Sequence, residues 1–219
     1  MLHADTRYWG SLYTAFDDFQ VLLSDPGGTV VAFGHTIPFV WDGTPEDLPD
    51  EIDRLMERAT EAYRARHTPT ALSALAALVS PEHQMRGLSS EVLRAMSSLA
   101  AEHGIHSLVA PVRPTLKSLY PLTPIERYAR WTRDDGSPFD PWLRVHWRLG
   151  AEQLRAAPKA TTITGTVAQW EEWTGMSFPE SGAYVVPGTL QPITIDREQD
   201  TGSYEDPNVW MRHSVTPAR

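Results

Sequence analysis

The chain has 219 residues, 41% hydrophobic and 21% charged, enough to bury a core without covalent staples. It contains no cysteine, which excludes a disulfide framework, thiolate-ligated zinc, iron–sulfur clusters and a thiol nucleophile. With 28 acidic against 19 basic residues the net charge is −9, the wrong sign for a phosphate-neutralising surface, so no nucleic-acid partner is expected.

The opening residues, MLHADTRYWG, carry neither a basic leader nor a long apolar stretch, and no apolar run nears the ~20 residues of a membrane span. A cytoplasmic chain with no membrane partner is the expectation. Residues 19–23 and 29–33, separated by Asp25-Pro-Gly-Gly28, read as a hairpin whose second strand continues toward Trp41. Residues 42–50, rich in Pro, Gly and acidic side chains, break the chain. Over 51–66, Ile52, Leu55, Met56, Ala59 and Tyr63 recur at helical spacing.

Residues 71–79 form a short apolar run stopped by Pro81, predicted as a strand buried on both faces. An amphipathic helix is predicted over 90–103, ended by Gly104, and a second buried strand over 106–112. Residues 115–131 read as a helix broken by Pro121 and Pro124. Beyond them, 142–149 alternates Trp/Arg/His/Arg with Leu/Val/Trp/Leu and predicts a half-buried strand. Residues 161–167, 183–186 and 190–195 are further strand candidates, and the acidic run 196–206 reads as a solvated loop. A mixed sheet flanked by helices follows from this order.

The stretch 79–93 is the most informative. A strand ending at Val79 runs through Gln84-x-x-Gly87-x-Ser89 directly into a helix. Such a junction offers successive N–H groups at the positive end of a helix dipole, and Gly87 permits close approach by a ligand. Arg86 adds a cationic donor. The competing reading is a loop with an ordinary serine cap.

This segment resembles the acyl-CoA-binding motif of the GNAT superfamily of N-acetyltransferases, Q/R-x-x-G-x-G/A, with Gln84, Gly87 and Ser89 at its positions and Ser89 departing from Gly or Ala. Residues 113–120 resemble the family's N-x-x-A-x-x-L-Y, with Arg113 for Asn, Leu116 for Ala, and Leu119-Tyr120 retained; the following Gly-Phe is replaced by Pro121-Leu. The likeness covers about residues 17–131. It implies an α/β GNAT-like core over 1–135 and a mostly β extension over 136–219 packed on the same domain. It also implies that two parallel strands, 71–79 and 106–112, splay apart around pantetheine. Acetyl-CoA or another acyl-CoA is then the cosubstrate. The cofactor-binding candidates are Val79, Gln84, Met85, Arg86, Gly87, Leu88, Ser89 and Arg113.

Without a thiol, direct attack on the thioester by the amine of a small-molecule acceptor is favoured over an acyl-enzyme. A base must take the amine's proton. Catalytic candidates are Tyr120, which the resemblance places as proton donor to the leaving thiolate, and Glu82, His35 and His146; His213 is a fifth. His103-Gly-Ile-His106 has metal-ligand spacing, but the glycine and a strand start separate the two rings, so no metal is expected. The tail, with Trp142, Trp147, Trp170, Trp173 and Trp210, either shapes the acceptor pocket or mediates a homodimer. Two alternatives stay open: a diverged enzyme that hydrolyses or decarboxylates a thioester, and a non-catalytic ligand-binding module.

Overall fold

The computed structural model describes residues 8–216; the first seven, part of the stretch read above for a leader, lie outside the described residues. The amino-terminal hairpin is present as β1 (Gln20–Ser24) and β2 (Val30–Phe39), closed by an Asp25 carboxylate that accepts from the Gly27 and Thr29 amides. Helix α1 (Ile52–Arg64) follows, buries Leu55, Met56 and Ala59, and leaves its charged face to solvent. Burying each large apolar side chain contributes roughly 1.5–3 kcal/mol. Next come β3 (Ala71–Val79), α2 (Leu88–Glu102) and β4 (Ser107–Val112), a βαβ unit with parallel strands.

Two expectations fail in the carboxyl-terminal half. Residues 142–149 are not a strand: Pro141–Arg148 is a helix, α4, preceded by a short α3 (Ile125–Tyr128). Asp140 caps α4 by accepting from the Trp142 and Leu143 amides, and Pro141 stands where a missing N–H costs nothing. An eight-residue window fitted period 2, but Leu143 and His146, three residues apart, are the buried face. Nor is 196–206 one solvated loop. β7 (Ile193–Asp196) and the long β8 (Thr201–Ser214) enclose it, and Asp206 is only 8% exposed. The broken helix at 115–131 contracts to a 3-10 turn (Lys117–Leu119) and α3. The remaining elements are β5 (Glu152–Gly165), α5 (Val167–Thr174) and β6 (Gly182–Tyr184).

One sheet runs β1-β2-β3-β4-β8-β7-β6, with β5 on the other edge of β8. β8 is shared: β4 pairs with its residues 209–214, β7 with 201–203, and β5 along most of its length. The β5–β8 ladder slips between Ala157 and Thr161, where Pro158 and Pro207 cannot donate. Helices α2, α3 and α4 cover one face over Leu72, Leu108 and Met211, while α1 and the amino-terminal turns cover the other over Ile37, Val109 and Trp210. A third cluster, around Trp170 and Ile193, sits beneath α5 beyond the slip.

Candidate active site

Parallel pairing between β3 and β4 stops after Leu72↔Leu108 and Ser73↔Val109. The cause is visible on β3: its register with β2 shifts so that Leu75 is an extra residue between Ala74 and Ala76, a bulge that bends the strand. Past it, β3 turns from buried to partly exposed and diverges from β4. A cleft of about 320 Å³ opens through the sheet, walled by Ala74–Leu78 on β3, Ala110–Val112 on β4 with Arg113 just beyond it, and Trp142 and His146 on α4. It continues to β8, whose Asp206 and Asn208 fall in the stretch that neither β4 nor β7 pairs.

At the outer end of β3 the chain makes a 3-10 turn (Pro81–His83) and enters α2. Met85 and Gly87 both have left-handed backbones, φ 63° and 79°, and α2 starts without a side-chain cap. Ser90 donates its amide to the Gly87 carbonyl; among the described residues, the amides of 85–89 donate to no protein acceptor. Five N–H groups thus cluster on an exposed helix start, the arrangement a pyrophosphate requires. A Cβ on Gly87 would meet nothing within 4 Å, so the space above it is open.

Besides Arg113 and Asp206, the cleft is lined by one histidine, His146, which leans on a second, His213. His146 is 2% exposed and His213 5%, with Nδ1 of the first 2.9 Å from Nε2 of the second. The other ring nitrogen of His213 bonds the Leu149 carbonyl. A carbonyl only accepts, so His213 carries its proton on Nδ1 and its Nε2 accepts from His146. His146 therefore keeps a lone pair on Nε2, an atom that is buried and, among the described residues, without a partner. Burial, reinforced by repulsion from His213, holds the His146 pKa down at about 3, so the ring is neutral at physiological pH. Trp142 packs edge-on against it at 4.6 Å between centroids.

Arg113 grips Asp206 through two bonds, Nε to Oδ2 at 2.7 Å and Nη2 to Oδ1 at 2.9 Å. Tyr204 donates to the same carboxylate, and its hydroxyl accepts from the Leu190 amide. Arg113 lines the cleft and also a second cavity of about 410 Å³ bounded by Trp170, Trp173 and Gly188. Of the five tryptophans singled out in the tail, Trp142 faces the cleft and Trp170 and Trp173 the second cavity. Trp147 is exposed, and Trp210 is core, donating to the Pro49 carbonyl.

The other candidates stand elsewhere. Tyr120 is not among the residues lining the cleft; its ring packs against Trp131, Phe139 and Tyr128, and its carbonyl accepts from the buried Lys117 ammonium. His35 spends both ring nitrogens on Gln20 and Tyr13. Glu82 is exposed on the 3-10 turn. Val79 and Gln84 meet through a 3.4 Å bond from the amide side chain to the strand carbonyl. Asn208, which lines the cleft and bonds the Pro111 carbonyl, is not among the sequence candidates: no local pattern marks a residue whose neighbours lie far away in the chain.

No family model matches the chain. The arginine N-acetyltransferase avaD of Aspergillus versicolor is 32% identical to it, over 95% of this chain and 81% of that one. The chain belongs to the GNAT superfamily. It is accordingly an N-acyltransferase that takes its acyl group from acyl-CoA and passes it to an amine. Among solved structures, the loading GNATL domain of CurA from Lyngbya majuscula matches with a TM-score of 0.64 at 16% identity, covering 97% of this chain and 84% of that one. The GphF GNAT-like decarboxylase, solved with isobutyryl-CoA, gives 0.57 at 16% identity, covering 94% and 83%. These two likenesses bear on the fold alone. Among the described residues no helix is long and apolar enough to cross a membrane.

Proposed function

We propose that this GNAT enzyme acylates the amine of arginine or a closely related small amino acid, with His146 as the base. The observation that carries the reading is the unpartnered Nε2 of His146, a residue of the cleft wall. The acyl-CoA supplies the electrophile, a thioester carbonyl whose sulfur leaves as thiolate. Amides of Met85, Arg86, Gly87, Leu88 and Ser89 hold the pyrophosphate, each bond to a charged group contributing about 1.5–3 kcal/mol. The Val79 end of β3 and the cleft beyond it receive the pantetheine arm.

An amine of ordinary pKa near 10.4 costs roughly 4–5 kcal/mol to deprotonate at pH 7, so the acceptor enters as the minority neutral form. Its remaining protons become acidic only as nitrogen bonds to the acyl carbon. His146 takes one at that moment, while the carbon–sulfur bond breaks with its electron pair on sulfur. The same proton then passes from Nε2 to the thiolate, since Tyr120 is absent from the lining. His213 holds His146 in the tautomer this needs.

Acceptor recognition is assigned to Arg113 and the second cavity. Arg113 has N–H groups beyond the two given to Asp206 and can bind a carboxylate. Trp173 offers an aromatic face to a cationic side chain. The identity of the relative favours arginine itself. The test is incubation with acetyl-CoA and L-arginine, following free thiol and product mass. One acetylated arginine per thiol released is expected. Thiol release without an acceptor would replace this reading with thioester hydrolysis.

A further inference from the structure

Lys117 is fully buried, yet the acyl transfer proposed above makes no use of its charge. Its ammonium donates to two backbone carbonyls, of Tyr120 at 2.9 Å and of Leu190, 73 positions away, at 2.5 Å. The first belongs to the 3-10 turn that follows β4 and Arg113. The second ends a loop that walls the second cavity. Within that loop the Thr189 amide and hydroxyl both donate to the Val186 carbonyl, at 3.2 and 2.8 Å. Between them stand Pro187 and Gly188, the latter with φ 89°, the pair a type II turn requires. A turn closed in this way moves as one piece, so its place is set at Leu190, the next residue.

Leu190 is held at both of its backbone polar groups. Its carbonyl accepts from Lys117, and its amide donates to the Tyr204 hydroxyl at 2.9 Å. Tyr204 donates in turn to Asp206, whose carboxylate holds Arg113 through two bonds. One chain of hydrogen bonds thus runs from Lys117 through Leu190, Tyr204 and Asp206 to Arg113, and bonds in such a series constrain one another. Arg113, Gly188, Thr189 and Tyr204 all line the second cavity. Resting on the function proposed above, we infer that Lys117 is a positioning residue for the acceptor. Through this chain it sets both the 186–189 wall and the guanidinium that receives the acceptor's carboxylate. It touches neither substrate, being absent from the lining of the cleft and of the second cavity.

The test compares kcat/KM for L-arginine and for agmatine, which is arginine without its carboxylate, in wild type, Lys117→Met, Tyr204→Phe and the double variant. Acetyl-CoA affinity is measured alongside by calorimetry, at a temperature where melting curves show each protein folded. Wild type is expected to prefer arginine. Either single change should lower that preference roughly threefold to thirtyfold, chiefly through the KM for arginine, with acetyl-CoA affinity unchanged. Both changes cut one chain, so the double variant should lose no more than the more affected single one. Where Lys117→Met does not fold, Lys117→Gln, a donor on a shorter arm, takes its place and should show the same loss. The inference is overturned if the Lys117 variant melts lower but keeps the wild-type preference, if acetyl-CoA affinity falls as far as the preference does, or if the two losses multiply. In those cases acylation of arginine by wild type still stands. Wild type that treats arginine and agmatine alike is a distinct result, which overturns the acceptor site proposed above and this inference with it.

Discussion

His146 and His213, 67 positions apart in sequence, meet nitrogen to nitrogen at 2.9 Å between α4 and β8. The pair works as a unit because the Leu149 carbonyl fixes the proton of His213, which in turn fixes the proton of His146. His213→Phe removes the acceptor while keeping a ring in place, so His146 loses its enforced tautomer. We expect kcat to fall about tenfold to hundredfold, part of the ~10²–10⁴-fold a positioned general base contributes, with acyl-CoA affinity unchanged. Steady-state kinetics beside calorimetric binding checks this; equal loss in both would make His213 a packing residue.

Burial of these rings ties stability to pH. The folded His146 pKa, about 3, lies below the ordinary 6.5, and that of His213 is lowered by burial as well. As pH falls below 6.5 the unfolded chain gains protons that the folded chain refuses, so stability is whole above 6.5 and drains away toward pH 3. Urea titrations at pH 7 and 4.5 should show wild type losing ~2 kcal/mol more than His146→Gln between the two. Parallel losses would mean that His146 is not buried neutral.

Gly87→Glu sets a carboxylate on the open helix start, where φ is 79° and a Cβ meets no neighbour. The fold should tolerate it, with about 1 kcal/mol lost to the left-handed backbone. CoA affinity should drop at least ~100-fold through repulsion and loss of the approach space. Thermal melting beside calorimetry separates the two effects, and unaltered affinity would move the pyrophosphate elsewhere.

Tyr120 makes its clearest contacts through backbone and ring, to Lys117 and to Trp131. Tyr120→Phe keeps both, so turnover should stay within about twofold of wild type. Lys117→Met is different. It strands the Tyr120 and Leu190 carbonyls, which Lys117 Nζ joins at 2.9 and 2.5 Å, and should cost about 2–4 kcal/mol in denaturant unfolding. A Tyr120→Phe variant slowed more than tenfold would restore the tyrosine as acid.

The amino-terminal half was legible because local chemistry decides it: the Asp25-Pro-Gly-Gly28 turn, the apolar stripe of α1 and the glycine before α2 each act within a few residues. α4 misled because its eight residues fit a period of two, although Asp140-Pro141 signalled a helix start. β8 was hidden because acidic Glu205 and Asp206 suggest solvent, whereas Lys159 on β5 and Arg113 just after β4 neutralise them. His146 and His213 were both named from sequence, but their contact emerges only once β8 lies beside β4 and α4 packs over it. Contacts across that distance leave no local pattern to read.

The central claim is that the gap bulged open between β3 and β4 receives the arm of CoA. Ala76 lines that gap, one residue past the bulge. Calorimetric titration of CoA into Ala76→Trp tests the claim most directly. A folded variant with no detectable binding is the expected result, against clear binding by wild type. Wild-type affinity in a folded Ala76→Trp protein would place the thiol carrier outside the cleft and contradict the account.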